Sequence, residues 1–448
     1  MVKKKQIENL KTRLAARGWS LAKTGLKAGS LAAQQAIKTA FTAADKRDGA
    51  WAKYVLQQAQ VLTQELGQLK GSAMKVGQLL STYGEHFLPK EANQVLKSLQ
   101  ADSPSLAWPA VKKQMDKQLG ADVLSELEID TTPWASASIG QVHRARRKSD
   151  GQELAMKIQY PGVDGAIETD LKFLRTILSM GQWLPKGARF DAIFDEVREM
   201  LYREVDYRNE IAATQLMADK LNNEPRYRVA QVFSRYSNQR LITTEFLAGD
   251  PVDGQSVQNL SLERRNRLGL AFLELYLREL FEFKLVQTDP HFGNYRVQID
   301  PTSAGQDCLI LFDFGAMREV PDDFLCNFAK VMKGGLLRDA ALVEDGGRAL
   351  NILLPDDPPE LIRHYVELCF LITEPFAGGE YDWGASDLPK RVAKRGSEMV
   401  FSHSLRAPPQ ETVFLDRKLG GTFVFLSVLK CRLDARPMLL EFLEKFGH

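Results

Sequence analysis

The stretch from Thr131 to Tyr160 constrains this chain more than any other, because there the sequence changes its period. Apolar and polar residues alternate, and glycine breaks the pattern twice, predicting three strands joined by turns at Ala135–Gly140 and Lys148–Gly151. The preceding sequence reads as helix over residues 6–44, from Trp51 to about Ser81, and from Trp108 to about Leu127. Helical spacing resumes from about Val163 to Leu184 and from Ile193 to Asn222, followed by strands at Arg228–Phe233 and Arg240–Thr244. After Asp250 the chain is mostly helical, apart from a strand-turn-strand piece between Tyr295 and Phe314. This order predicts an α+β fold of two lobes, a small β-containing N-lobe with inserted helices and a mainly helical C-lobe. The expected boundaries are a basic amphipathic extension at 1–50, a helical extension at 51–128, the N-lobe at 129–247 and the C-lobe at 248–448. A ligand is expected between the lobes.

At 448 residues the chain is long enough for two cores, and 44% hydrophobic with 26% charged residues excludes a disordered polymer. A net charge of +2 gives no reason to expect nucleic acid as a partner. Basic residues concentrate at the start, where the first thirty positions hold eight against the single acid Glu8. The apolar or small positions Ile7, Leu10, Leu14, Gly18, Leu21 and Gly25 fall on one side of that helix. Such a helix suits an anionic membrane surface, or packing on the body or on a second copy of the chain as a homodimer. The four cysteines lack metal or redox spacing. No run approaches eighteen apolar residues, and the start lacks a secretory apolar core. The expected location is cytoplasmic, with a peripheral position on the inner face of a membrane and an organellar matrix as the alternatives that the basic start leaves open.

Three segments carry chemistry. Ala135-Ser136-Ala137-Ser138-Ile139-Gly140 is nearly free of bulky side chains, so its amides can approach an anion closely. Lys157 stands inside the apolar strand Leu154–Ile158 and needs a charge partner if buried. Glu210 is the expected partner, on a helix also carrying Glu204 and Asp206. Asp289 precedes Asn294 by five positions, and eighteen residues separate Asn294 from the triplet Asp313-Phe314-Gly315. That spacing matches a kinase catalytic loop followed by its metal-binding triplet. Asn294 and Asp313 supply hard oxygen ligands for Mg²⁺, or Mn²⁺ in its place, on ATP, while Asp289 orients an acceptor or water. Between Glu210 and Asp289, the segment Thr244–Leu247 is the expected hinge, its backbone at Glu245 and Leu247 meeting adenine.

Departures from an ordinary protein kinase are equally specific. The phosphate loop is rich in alanine and serine, Gln287-Thr288 stands where His-Arg would, and no A-P-E follows Asp313. Lys75-Val76-Gly77-Gln78 adds a helical cluster in which Lys75 and Gln78 share a face and Gly77 permits close approach. With these residues the chain resembles the ABC1/UbiB/COQ8 (AarF-type) atypical kinase-like family over roughly residues 50–440. Lys75-Val-Gly-Gln78 is similar to its KxGQ motif, Glu204-Val-Asp206 to its ExD motif, and Ala135–His143 to its alanine-rich loop, interrupted here by Ser136. The family more often has His-Asp-Pro-His-Pro-Gly-Asn, where this chain has Thr288 before Asp289 and Phe292 in place of the second proline.

The resemblance implies a Mg-dependent ATPase or phosphotransferase supporting ubiquinone or other prenyl-lipid metabolism. It also implies a KxGQ helix, held by the ExD motif, that covers the place of a peptide substrate. Partners so implied are the nucleotide, a prenyl lipid and lipid-biosynthesis proteins. Two other readings stand beside it: an ATP-responsive scaffold without catalysis, and a kinase for a small molecule or lipid.

Overall fold

The computed structural model describes residues 72–84, 96, 105–180, 189–289, 291–302, 306–402 and 409–446. The basic extension at 1–50, with its membrane and homodimer readings, lies outside the described residues. In chain order the first elements are α1 (Ser72–Gly84), α2 (Trp108–Leu119), α3 (Ala121–Ser125), β1 (Leu127–Ile129), β2 (Ala135–Ser136), β3 (Gly140–Arg147), β4 (Glu153–Gln159), α4 (Ile167–Met180), α5 (Arg189–Glu204), α6 (Tyr207–Leu221), β5 (Tyr227–Val229) and β6 (Leu241–Glu245). There follow β7 (Asp250–Pro251), α7 (Gln255–Gln258), α8 (Leu262–Leu277), β8 (Leu285–Gln287), β9 (Tyr295–Gln298), β10 (Cys308–Leu311), β11 (Met317–Glu319), α9 (Asp322–Leu337), α10 (Ala340–Ala349), α11 (Pro359–Ile372), β12 (Tyr381–Asp382), α12 (Leu388–Ser402), α13 (Gln410–Val428), β13 (Arg432–Leu433) and α14 (Arg436–Phe446). The chain divides into two compact units, Met1–Ile211 with Val232–Phe246, and Ala212–Gln231 with Leu247–His448.

The first unit is built on an antiparallel sheet in the order β1-β3-β4-β6, with β2 added alongside β3. Strand β4 is interior, so both of its edges are hydrogen-bonded, and Lys157 lies opposite Val142 and Ile242. Successive side chains of a strand face opposite ways. Leu154, Met156 and Ile158 therefore share the buried face, while Ala155 and Lys157 occupy the other and are half-buried. Helix α1 forms because Ser72, Lys75, Val76, Leu79 and Leu80 recur at helical spacing, and all five are buried. It packs on α4 and α5, where the Ser72 hydroxyl donates to the carboxylate of Asp170.

Of the differences from the sequence reading, two bear on the candidate site residues. The phosphate loop is not a turn throughout: Ala135 and Ser136 pair with Val142 and Gln141 as β2. The turn proper is closed where the Ala137 amide donates to the Gly140 carbonyl at 2.9 Å. The helix expected over Ile193–Asn222 is two helices, so Glu204, Asp206 and Glu210 do not share one. The Gln159 side chain, 1% exposed, donates to the Val205 carbonyl at 2.7 Å. Asp206 then accepts from the Arg208 amide at 3.1 Å, capping α6.

The second unit is mainly helical. Its sheet runs β5-β10-β9-β7, and β8 pairs separately with β11. Helices α8 and α13 meet in its core, with the rings of Phe272 and Phe425 stacked 3.6 Å apart. Among the described residues no helix is long and apolar enough to cross a membrane.

Packing in the sheet of the first unit can be measured at two positions. A Cβ at Gly140 would lie 2.5 Å from the Ile158 carbonyl oxygen and 2.9 Å from the Tyr207 hydroxyl. Gly140→Ala should therefore cost roughly 1–3 kcal/mol in urea denaturation; an unchanged midpoint would contradict this packing. His143 is fully buried, its Nδ1 2.6 Å from the Asp130 carbonyl and its Nε2 2.8 Å from the Gln141 amide nitrogen. Nδ1 must donate to the carbonyl, so Nε2 accepts from Gln141 and the ring is neutral. Burial holds its pKa below the ordinary 6.5, so below that pH the unfolded chain binds the extra proton. Stability should then fall as pH drops below about 6.5, and His143→Gln should flatten that decline. An equal decline in both proteins would assign it to other groups.

Candidate active site

The candidate residues fall in two groups, one in each unit. In the first, the Lys157 ammonium donates to both oxygens of Glu210, at 2.8 and 2.9 Å. The two side chains are 16% and 8% exposed, so desolvation strengthens an attraction that would be weak at the surface. The Tyr207 ring stands 5.3 Å from the same ammonium. Lys157 is thus a fixed cation on the sheet's less buried face. The break before α6 makes this arrangement available. Six positions along one continuous helix would send Glu204 and Glu210 to different sides with no common register. The corner instead leaves Glu210 in the first turn of α6 and Glu204 at the end of α5.

Glu204 meets the other lysine. Lys75 Nζ lies 2.8 Å from Glu204 Oε1, with side-chain exposures of 9% and 20%. Gly77 is buried and Gln78 half-buried on the same helix, so the KxGQ and ExD segments are joined through Lys75 and Glu204. Asp206 serves the corner instead, capping α6, pairing with Arg208 and accepting from Gln239 at 3.4 Å. In the loop, Ala135 and Ser136 are exposed, Ala137 and Ser138 half-buried, and Ile139 and Gly140 buried. Because the Ala137 amide is already used by Gly140, fewer amides face outward than the sequence suggested. Glu245 closes β6 opposite Leu154. Leu247 belongs to the second unit, where its side chain is buried with Ala230 and Ile310.

In the second unit Asp289, Asn294 and Asp313 are drawn together. Asn294 ends a short 3₁₀ turn, and its Nδ2 donates to the Asp289 carbonyl at 3.0 Å. That bond commits the amide nitrogen and leaves Oδ1 as the atom suited to a hard cation. The Asn294 carbonyl accepts from the Phe312 amide at 2.9 Å, tying the loop to the end of β10. Asp313 comes next, with φ of 58°, a left-handed conformation that aspartate tolerates better than most residues. Its Oδ1 accepts from the Gly315 amide at 3.2 Å.

Among the described residues no three His, Cys, Asp or Glu side chains gather into a self-sufficient metal site. One carboxylate and one amide oxygen fit a cation that completes its shell with water and phosphate, as Mg²⁺ does.

The sequence reading missed several residues here. Arg417 on α13 donates from Nη2 to Asp289 Oδ1 at 2.9 Å. Gln287, 3% exposed, accepts from the Asp289 amide at 2.6 Å and donates to the Asp313 carbonyl at 2.9 Å. Behind it, Lys418 and Glu279 form an ion pair at 2.7 Å with exposures of 1% and 2%. The available signal was the charged run Asp416-Arg417-Lys418 in a helix whose residues after Thr412 are otherwise mostly apolar.

Comparison with known proteins agrees with this layout. Residues 98–345 match the ABC1 atypical kinase-like domain. The chain is 32% identical over 385 residues to atypical kinase COQ8B, mitochondrial, of Danio rerio, an alignment covering 86% of this chain but 60% of that protein. With atypical kinase COQ8, mitochondrial, of Saccharomyces cerevisiae the identity is 31% over 407 residues, covering 88% and 79%. The solved complex of Rv3197 with erythromycin from Mycobacterium tuberculosis matches with a TM-score of 0.57 at 26% identity, covering 89% of this chain and 98% of that one. With a β-rich N-terminal part, a mostly helical C-terminal part and these relatives, the chain belongs to the ABC1/UbiB/COQ8 atypical kinase-like family.

Proposed function

We propose that this chain is an atypical kinase-like phosphotransferase or ATPase that uses Mg-ATP. The observation that carries the reading is the hydrogen-bonded set Asp289, Gln287, Asn294 and Asp313 in the second unit; the first unit, taken by itself, holds the Lys157–Glu210 pair. Mg²⁺, when bound, would neutralise charge on the phosphates; Asp313 and Asn294 Oδ1 would hold it, Lys157 would meet the phosphate oxygens, and the Ala135–Gly140 loop would add backbone and serine donors. Glu245 and Leu247 offer backbone groups to adenine. Asp289 orients the acceptor and takes its proton. The Lys75–Glu204 contact holds α1 to α5; that Lys75 and Gln78 would restrict which acceptors reach the phosphate, favouring water or a small hydroxylated acceptor over a protein chain, rests on the family relationship. A role in ubiquinone or other prenyl-lipid metabolism rests on the family relationship, as does a lipid or protein partner from such a pathway.

One observation favours a second reading, an ATP-responsive scaffold. Arg417 already bonds the carboxylate that would orient the acceptor. Measuring Mg-dependent ATP binding beside phosphate release, with and without lipid, separates the two: binding with no release in any condition selects the scaffold.

For the enzymatic reading, Asp313→Asn should lower Mg-dependent turnover by about a hundredfold or more. Retained wild-type turnover would remove Asp313 from the site. Lys157→Arg keeps the charge but changes reach and fork geometry, so turnover should drop roughly tenfold or more. A full-rate variant would refute the phosphate contact. Glu204→Gln should speed amide exchange across residues 72–84, because the Lys75–Glu204 ion pair is lost. Unchanged exchange there would show that the Lys75–Glu204 pair does not hold α1.

A further inference from the structure

We propose that Gln287 is a positioning residue which locks the backbones carrying Asp289 and Asp313 into one geometry, with the buried Glu279–Lys418 pair holding Gln287 in place. This rests on the reading of Asp289 and Asp313 as the acceptor-orienting and metal-holding groups.

Gln287 uses both ends of its side-chain amide. The oxygen accepts from the Asp289 amide at 2.6 Å, and the nitrogen donates to the Asp313 carbonyl at 2.9 Å. Those two aspartates are twenty-four positions apart in sequence, and one buried side chain spans them. What it grips is backbone, and that matters mechanically. At Asp313, with φ of 58°, the carbonyl direction and the Cα–Cβ direction are set by the same peptide geometry. Fixing the carbonyl holds the Asp313 backbone, and the bond from the Gly315 amide to Oδ1 sets the carboxylate on that backbone. Holding the Asp289 amide likewise fixes the backbone of the residue that faces the acceptor.

Gln287 is itself held from behind. It ends β8, opposite Met317 of β11, and its own amide donates to Glu279 Oε2 at 3.2 Å. Glu279 lies in a π-helical turn, Arg278–Glu282, that continues α8. Such a turn inserts an extra residue and redirects side chains, and it is frequent beside functional sites. Glu279 is paired with Lys418, and both are almost fully buried. A desolvated pair of this kind contributes little net stability compared with apolar residues of similar volume, but it tolerates only a narrow geometry. A core built for stability alone has no need of it at this position. The nearly buried glutamine, the π turn and the ion pair all converge on the register of the acidic loop.

The test compares the full chain with Gln287→Met, which keeps length and loses both hydrogen bonds. Two quantities are read: hydrogen exchange at the Asp289 amide, and the Mg²⁺ concentration that half-saturates enhancement of ATP-analogue binding. In the wild type the Asp289 amide should be protected. In Gln287→Met its exchange should accelerate by roughly tenfold or more relative to the Leu309 amide, which bonds the Arg226 carbonyl elsewhere in the unit. The Mg²⁺ requirement should rise by about tenfold, with metal-free binding of the analogue unchanged. A loss of global stability alone would raise exchange at both amides and leave the Mg²⁺ requirement in place, which would overturn the proposal. So would an unprotected Asp289 amide in the wild type, a result that needs no variant. Should Gln287→Met fail to fold, Gln287→Glu preserves the acceptor and is read at the Asp289 amide, where retained protection is expected and its loss is contrary. If wild-type nucleotide binding shows no Mg²⁺ dependence, the functional reading falls, while the amide measurement still decides whether Gln287 is the clamp.

Discussion

One buried side-chain amide, that of Gln287, joins the two backbones that carry the acidic residues of the second unit, and much of the local structure is arranged around it. The backbones of Asp289 and Asp313 are both bonded to the side chain of Gln287, so neither can swing away without breaking a buried hydrogen bond. Asn294 adds a neutral clamp to the Asp289 carbonyl, and Arg417 sets an opposite charge directly against the Asp289 carboxylate. Amide groups dominate this set for a physical reason. They fix backbone direction without neutralising the negative field that a divalent cation and its phosphates require.

The first unit solves the inverse problem, keeping cations ordered where solvent is scarce. Lys157 and Lys75 each face a glutamate, and the two glutamates flank one chain corner at Val205-Asp206. Gln159 creates that corner from the adjacent strand by capturing the Val205 carbonyl. A change at the corner therefore reaches both lysines together. Helix α1 is coupled to the strand that carries Lys157 through this geometry, even though the two make their ion pairs with different residues.

The motif order was legible in the sequence because it depends on local patterns. Alternation placed Lys157 inside a strand, and the five-residue spacing from Asp289 to Asn294 with the following Asp313 triplet marked the acidic loops. The corner after Glu204 was not legible. Residues 193–222 keep a helical spacing throughout, and the interruption comes from Gln159, a side chain far away in sequence; only the capping ability of Asp206 hinted at it. In sequence Gln287 is no more than a departure from the kinase His-Arg pair, because its partners are defined only once β8 and β11 pair. Arg417 and Lys418 lie more than a hundred residues from the groups they meet. Long-range electrostatic pairing leaves almost no local signature beyond charge inside a mostly apolar stretch of helix.

A structure of the full chain with Mg²⁺ and a non-hydrolysable ATP analogue would decide whether these groups serve one nucleotide. The expected finding is a divalent ion bonded to an Asp313 carboxylate oxygen and to Asn294 Oδ1, at about 2.0–2.1 Å, with Lys157 against the phosphates of the same nucleotide. A metal held by other side chains, or a nucleotide that leaves Lys157 and Asp313 untouched, would contradict it.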